Sequence, residues 1–268
     1  MRTLKKYLIF FLLFFFFSFI ASPVDDYKLI KAIAFPQASF FTTDKLGNAY
    51  VIVEDQLLQF DIEGNPKGNY SRNNIGSLTL VDATNPMKIL LFYPDYATVV
   101  ILDAKLSLQS EIEMRSININ QPLVVCNSGE NAYWVYDRQD DQLKKIDNNR
   151  QVIHQSSNLT QLTGYQLQPN LMVEDNGFVF INNPSTGILV FDRYGTYYKT
   201  LPFEELKSFQ IIDNDLLFVK NNHLYRYNSK SLSEKEILTP SVDSIRAARI
   251  EQHELYLLTS DSLNFYYF

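Results

Sequence analysis

The sequence predicts an all-β fold: a six-bladed β-propeller of four-stranded antiparallel blades, its ring closed by an N-terminal strand. Three observations carry this. A strand–turn pattern recurs about every 41 residues. Within each copy, apolar residues alternate with polar ones and Asn, Gly and Asp mark tight turns, which is the hairpin signal. The last copy ends after its third strand, while an unclaimed alternating segment precedes the first. Four strands in 40–45 residues is the signature of a propeller blade. A seven-bladed ring with one degenerate blade and a pair of β-sandwiches are the competing architectures.

The chain opens with a different kind of segment. Arg2, Lys5 and Lys6 precede an apolar run from Leu8 to Ala21 broken only by Ser18. Fourteen positions are short for a bilayer span, which takes about 20, and suit a signal peptide's apolar region. Ala21 and Ser22 are small enough for cleavage, although Phe19 is a poor residue three positions before a cut after Ala21. Residues 1–22 are therefore expected to be an export signal, with an uncleaved N-terminal anchor as the alternative. Residues 23–268 are expected to be a single propeller domain, in the periplasm or outside the cell and with no membrane span once the signal is lost.

Tyr27–Ile33 (Tyr-Lys-Leu-Ile-Lys-Ala-Ile) alternates like a strand and is assigned to the open edge of the last blade, beside Leu263–Phe268. That pairing removes an exposed sheet edge and closes the ring. The innermost strands are read at Phe40-Phe41, Leu78–Val81, Leu123–Val125, Leu171–Val173, Phe209–Ile212 and Ile245–Ile250. Each runs into a polar turn that starts at Asp44, Asp82, Asn127, Glu174, Asp213 or Glu251. A second strand follows, then a loop, then a third strand ending at Asp61, Asp103, Asp147, Asp192 or Asn228; the steps between these ends are 42, 44, 45 and 36 residues.

The turn-and-strand residues Asp44-Lys-Leu-Gly-Asn-Ala-Tyr-Val51, followed by Phe60-Asp61-Ile-Glu-Gly64, resemble blades of the NHL-type and related six-bladed propellers. As architecture the resemblance covers the chain beyond the signal, and it implies a binding scaffold with no particular activity. Blades five and six lack the glycines of that pattern.

Composition excludes several functions. The chain has 24 Lys and Arg against 30 Asp and Glu, and loss of residues 1–22 would leave 21 against 30, a net charge of −9. Such a chain lacks the basic footprint that nucleic acid requires. A single cysteine, Cys126, excludes an intramolecular disulfide framework and a cysteine-built metal site. His154, His223 and His253 share no ligand spacing, and there is neither a nucleophile elbow nor a phosphate loop.

From these absences the chain is expected to be no enzyme and to use no cofactor or metal. The alternative is a calcium-dependent hydrolase or lactonase, its ion held by acids around the axis. The inner strands offer mostly apolar residues for that purpose: Val81, Val125, Val173, Ile212 and Ile250 beside Thr42 and Thr43. The strand-end Asp residues recur once per blade, which suits a turn and not a single active site. Binding is expected instead on the face of loops between second and third strands, where Tyr93, Asp95, Tyr96, Tyr136, Arg138, Asn182 and Asn222 vary from blade to blade. Tyrosine and arginine anchor interfaces, so the expected partner is a protein or a cell-envelope component, with binding of a small ligand, in the channel and without turnover, as a third reading.

Overall fold

The computed structural model describes residues 27–268, so the expected export signal lies outside the described residues. The chain forms six four-stranded antiparallel sheets arranged as the blades of a ring. In chain order the first blade is β2 (Ala38–Thr43), β3 (Ala49–Val53), β4 (Gln56–Phe60) and β5 (Pro66–Ser71). The second is β6 (Leu80–Asp82), β7 (Ile89–Tyr93), β8 (Thr98–Leu102) and β9 (Leu108–Glu113). The third is β10 (Pro122–Ser128), β11 (Ala132–Asp137), β12 (Gln142–Ile146) and β13 (Val152–Gln155). The fourth is β14 (Leu171–Asp175), β15 (Phe178–Asn183), β16 (Gly187–Asp192) and β17 (Tyr197–Leu201). The fifth is β18 (Phe209–Ile212), β19 (Asp215–Lys220), β20 (His223–Asn228) and β21 (Ser233–Ile237).

The sixth blade, β22 (Ala247–Glu251), β23 (Glu254–Leu258) and β24 (Ser262–Tyr267), takes its outer strand from the other end of the chain. That strand is β1 (Lys28–Ala34), which runs antiparallel to β24 from Lys28 opposite Tyr267 to Ala34 opposite Ser262. The pairing expected of the N-terminal segment is therefore present. Tyr27 adds edge contacts with Tyr266 and Phe268, at centroid distances of 6.4 and 5.4 Å.

The turns show why the Asp residues repeat. Asp61 Oδ1 accepts the N–H groups of Glu63 and Asn65, Asp103 those of Lys105 and Ser107, and Asp192 those of Tyr194 and Thr196. Asp147 does the same for Gln151, and Asn228 for Lys230 and Ser231. One side-chain oxygen thus ties the chain reversal between third and fourth strands. The fourth residue of each Asp turn has positive φ (Gly64, Leu106, Arg150 and Gly195), and in the Asn228 turn the fifth, Leu232, does. Arg150 is exposed and holds φ +64° without a glycine's freedom. Arg150→Gly should raise stability by about 0.5–1 kcal/mol by removing left-handed strain, read as a small rise in Tm; an unchanged or lowered Tm contradicts this.

Two short helical segments, absent from the sequence reading, sit in blade connections. A 3-10 turn covers Met114–Ile117, and α1 covers Leu159–Thr163. Asn158 caps α1 by accepting the Gln161 N–H at 2.9 Å.

The core lies between blades as well as near the axis. Inner-strand residues Leu80, Val125, Leu171 and Phe209 join one apolar cluster, and Trp134 is fully buried in another. Adjacent blades are also tied by polar bridges. Trp134 Nε1 donates to Glu174 Oε2 at 2.6 Å, and the Asn127 N–H donates to Asp82 at the same distance. Among the described residues no helix is long and apolar enough to cross a membrane.

Candidate functional site

An inner strand has one edge with no neighbouring strand, so its backbone groups need other partners. On β22 the Gln210 side chain supplies them. Its Nε2 donates to the Ile250 carbonyl at 3.0 Å, and its Oε1 accepts the Ile250 N–H at 2.9 Å. The same Nε2 reaches Glu251 Oε1 at 2.8 Å, and the Thr43 hydroxyl donates to that oxygen at 2.6 Å. Blades five, six and one therefore meet at one polar knot at the turn-side end of their inner strands.

Arg249 stands in the same strand, one residue before Ile250. It is 4% exposed and donates from Nη1 to the Phe209 carbonyl at 2.6 Å. Burial pushes its guanidinium pKa down to about 10, against the pull of Glu251. Burial also moves the Glu251 carboxyl up, opposed by the Thr43 hydroxyl and by Arg249. A buried cation beside a half-buried acid is costly to maintain unless it has partners or a task.

Beside this knot lies a cavity of about 1230 Å³. Its inner wall is built from the ends of inner strands: Thr42, Thr43, Val173, Phe209, Ile211, Ile212, Arg249 and Glu251. It extends outward between blades five and six, where Ile237 and Leu238 face Tyr27 and Phe268. Arg226 also lines it but is engaged by Asp215 at 2.7 Å and Asp213 at 3.4 Å. The volume is enough for a small organic molecule, and the walls mix apolar side chains with charged ones, among them Lys45, Glu174, Asp175, Asp213 and Lys235.

The cavity is on the side of the first turns, not on the loop face where binding residues were expected. Three of those expected residues are interior. Tyr93 and Tyr136 are fully buried, because β7 and β11 are packed on both faces by neighbouring blades. Tyr136 donates to Asp141 at 2.6 Å, and Asn182, also fully buried, donates to Asn170 and to the Leu206 carbonyl. These three are structural residues and cannot touch a partner. Asn222 is exposed, but its Oδ1 accepts the Ile245 N–H and so fixes the start of blade six. Asp95 accepts the Ser77 N–H at 2.9 Å. Arg138 is half-buried near Gln166, and Tyr96 is 55% exposed.

The acids at the first turns do not converge either. Asp44 accepts from Leu46, Asn48 and Tyr50 of its own blade, and Glu174 is held by Trp134 and Gly129. Among the described residues no three His, Cys, Asp or Glu side chains lie close enough together to hold a metal ion. Cys126 is buried and its thiol pKa is pushed well up by burial, which suits a packing residue. Arg249 and Gln210 are not among the residues expected at the site. The available signal was a charged residue within the apolar stretch Ala247-Ala248-Arg249-Ile250.

No family model matches the chain, and no curated protein matches it. Solved structures do. A catalytically inactive variant of virginiamycin B lyase from Staphylococcus aureus, with quinupristin, superposes with a TM-score of 0.63 at 9% identity, covering 91% of this chain and all of that one. The Neurospora crassa Pan2 WD40 domain gives 0.56 at 10% identity, covering 90% and 95%. BBS1N in complex with ARL6DN gives 0.56 at 14% identity, covering 86% and 77%. At such identities the likeness shows the propeller fold alone. It nevertheless corrects one expectation. A lyase is among the proteins that share this ring, so missing nucleophile and histidine motifs do not make the chain a non-enzyme.

Proposed function

We propose that this propeller binds a small ligand in the cavity at the turn-side ends of the inner strands of blades four, five, six and one, and that it does so as an exported protein. The observation that carries the first part is a large cavity of mixed apolar and charged walls that has a buried arginine in its inner wall. Ligand sites combine such walls with a few placed polar groups. The basic start and apolar run of residues 2–21 support export.

The cavity reading is tested with a neutral fluorescent probe, N-phenyl-naphthylamine, titrated into the full-length protein. Saturable binding at one site is expected. Ile212→Trp, which puts a large ring into the cavity, should abolish it, while Tyr96→Ala on the opposite face should leave it unchanged. Absence of saturable binding, or loss only in the Tyr96 variant, refutes the cavity as a ligand site. Export is tested separately by N-terminal sequencing of the protein from the host's envelope fraction, where a start near residue 22 is expected and an intact Met1 in the cytosol counts against it.

A protein or envelope partner on the loop face is the second reading. It is favoured by the exposed Tyr96 ring, beside which Arg115 donates to the Asp95 carbonyl at 3.5 Å.

A further inference from the structure

The cavity contains a cation that the fold does not neutralise by contact. Arg226, on the same lining, is already held by two aspartates. Lys45 and Lys235 are exposed and keep their hydration. Arg249 differs from all three. It is buried, it makes no ion pair among the described residues, and the bond to the Phe209 carbonyl is its single hydrogen bond to the protein. Its other nitrogens are not among the buried polar atoms left without partners, so they keep a small surface, and the residue lines the cavity. A planar guanidinium with unused N–H groups is built for two-point recognition of an oxyanion.

The surroundings restrict the anion. Glu251 stands two residues away on the same strand and lines the same cavity, and its charge acts on Arg249. A dianion such as phosphate would face that carboxylate at close quarters, whereas a single negative charge would balance Arg249 at lower cost. Beyond this group the lining is mixed: Val173, Phe209, Ile211 and Ile212 on the inner side and Ile237 and Phe268 further out supply apolar surface, while Glu174, Asp175, Asp213, Asp215 and Glu236 add carboxylates that weigh further against a second negative charge on the ligand. We propose that Arg249 anchors the carboxylate of a small organic acid with an apolar body, its charged end at the inner strands and its body between blades five and six. This rests on the cavity being a ligand site, and it adds the chemical class of the ligand.

The test compares naphthoate with neutral naphthamide on the full-length protein by calorimetry. The acid should bind at least about tenfold more tightly than the amide. In Arg249→Met, which keeps much of the side-chain volume, that preference should fall to within about twofold, while binding of neutral N-phenyl-naphthylamine persists. Glu251→Gln keeps an oxygen for Thr43 and Gln210 and removes the neighbouring negative charge; it should tighten naphthoate by about threefold or more without changing the amide. Should Arg249→Met fail to fold, the Glu251 variant decides alone. Equal affinities of acid and amide in the unmodified protein overturn the anion site, as does a preference retained in folded Arg249→Met or a Glu251→Gln variant indifferent to charge. If the neutral probe binds and the acid has no advantage, the cavity reading survives and only the carboxylate anchor fails.

Discussion

Removal of residues up to Ala34 should lower Tm by roughly 10–20 °C. Strand β1 is mostly exposed, so its direct apolar burial is small. Its contribution is the ladder to β24, in which six residues from Lys28 to Ala34 have partners. At about 1 kcal/mol per net hydrogen bond, the ladder is worth roughly 6 kcal/mol. In a chain of this size each kcal/mol moves Tm by about 2–4 °C. The same strand leads through residues 35–37 into the first blade, so its pairing with β24 also fastens the two ends of the ring. Without it the sixth blade presents β24 as an open edge, and the truncated protein should self-associate. A synthetic peptide of residues 27–34 should bind the truncated chain and restore part of the lost Tm. An unchanged Tm after truncation would show that packing of blade one against blade six closes the ring unaided.

Gly187→Ala should be nearly as damaging, by about 3 kcal/mol or more. Gly187 opens β16 with φ +107°, a conformation that side chains rarely adopt. A Cβ there would run into the Leu201 carbonyl oxygen and come within 3.1 Å of the Phe203 nitrogen. Both obstacles are backbone, so no side-chain rotation can relieve them. Gly164 provides the comparison. It ends α1 with φ +85°, yet a Cβ there would meet nothing within 4 Å. Gly164→Ala should cost only the conformational penalty, about 1 kcal/mol. Chemical denaturation of the two variants separates steric conflict from backbone preference. Equal losses would mean that the fourth blade gives way around Leu201.

By itself the sequence determined the blades, their number and the closing strand, because these rest on local physics. An Asp that binds the N–H groups two and four residues on makes a turn wherever the chain places it, and Asp61, Asp103 and Asp192 do so in three different blades. The unpaired third strand at the C-terminus needed a partner, and β1 was the segment left over. Which residues face water was settled only by tertiary structure. Period-two alternation separates inside from outside when one face of a sheet is solvated. In a ring of blades both faces of the middle strands are covered, and all five residues of β7 and all six of β11 are buried. That is why Tyr93 and Tyr136, read as loop residues, lie inside. Arg249 was hidden for the same reason: its strand looks like an ordinary inner strand until the cavity between blades five and six shows where the guanidinium lies. The residues around it, Thr43, Gln210 and Glu251, come from three blades up to 208 positions apart, and only closure of the ring brings them together.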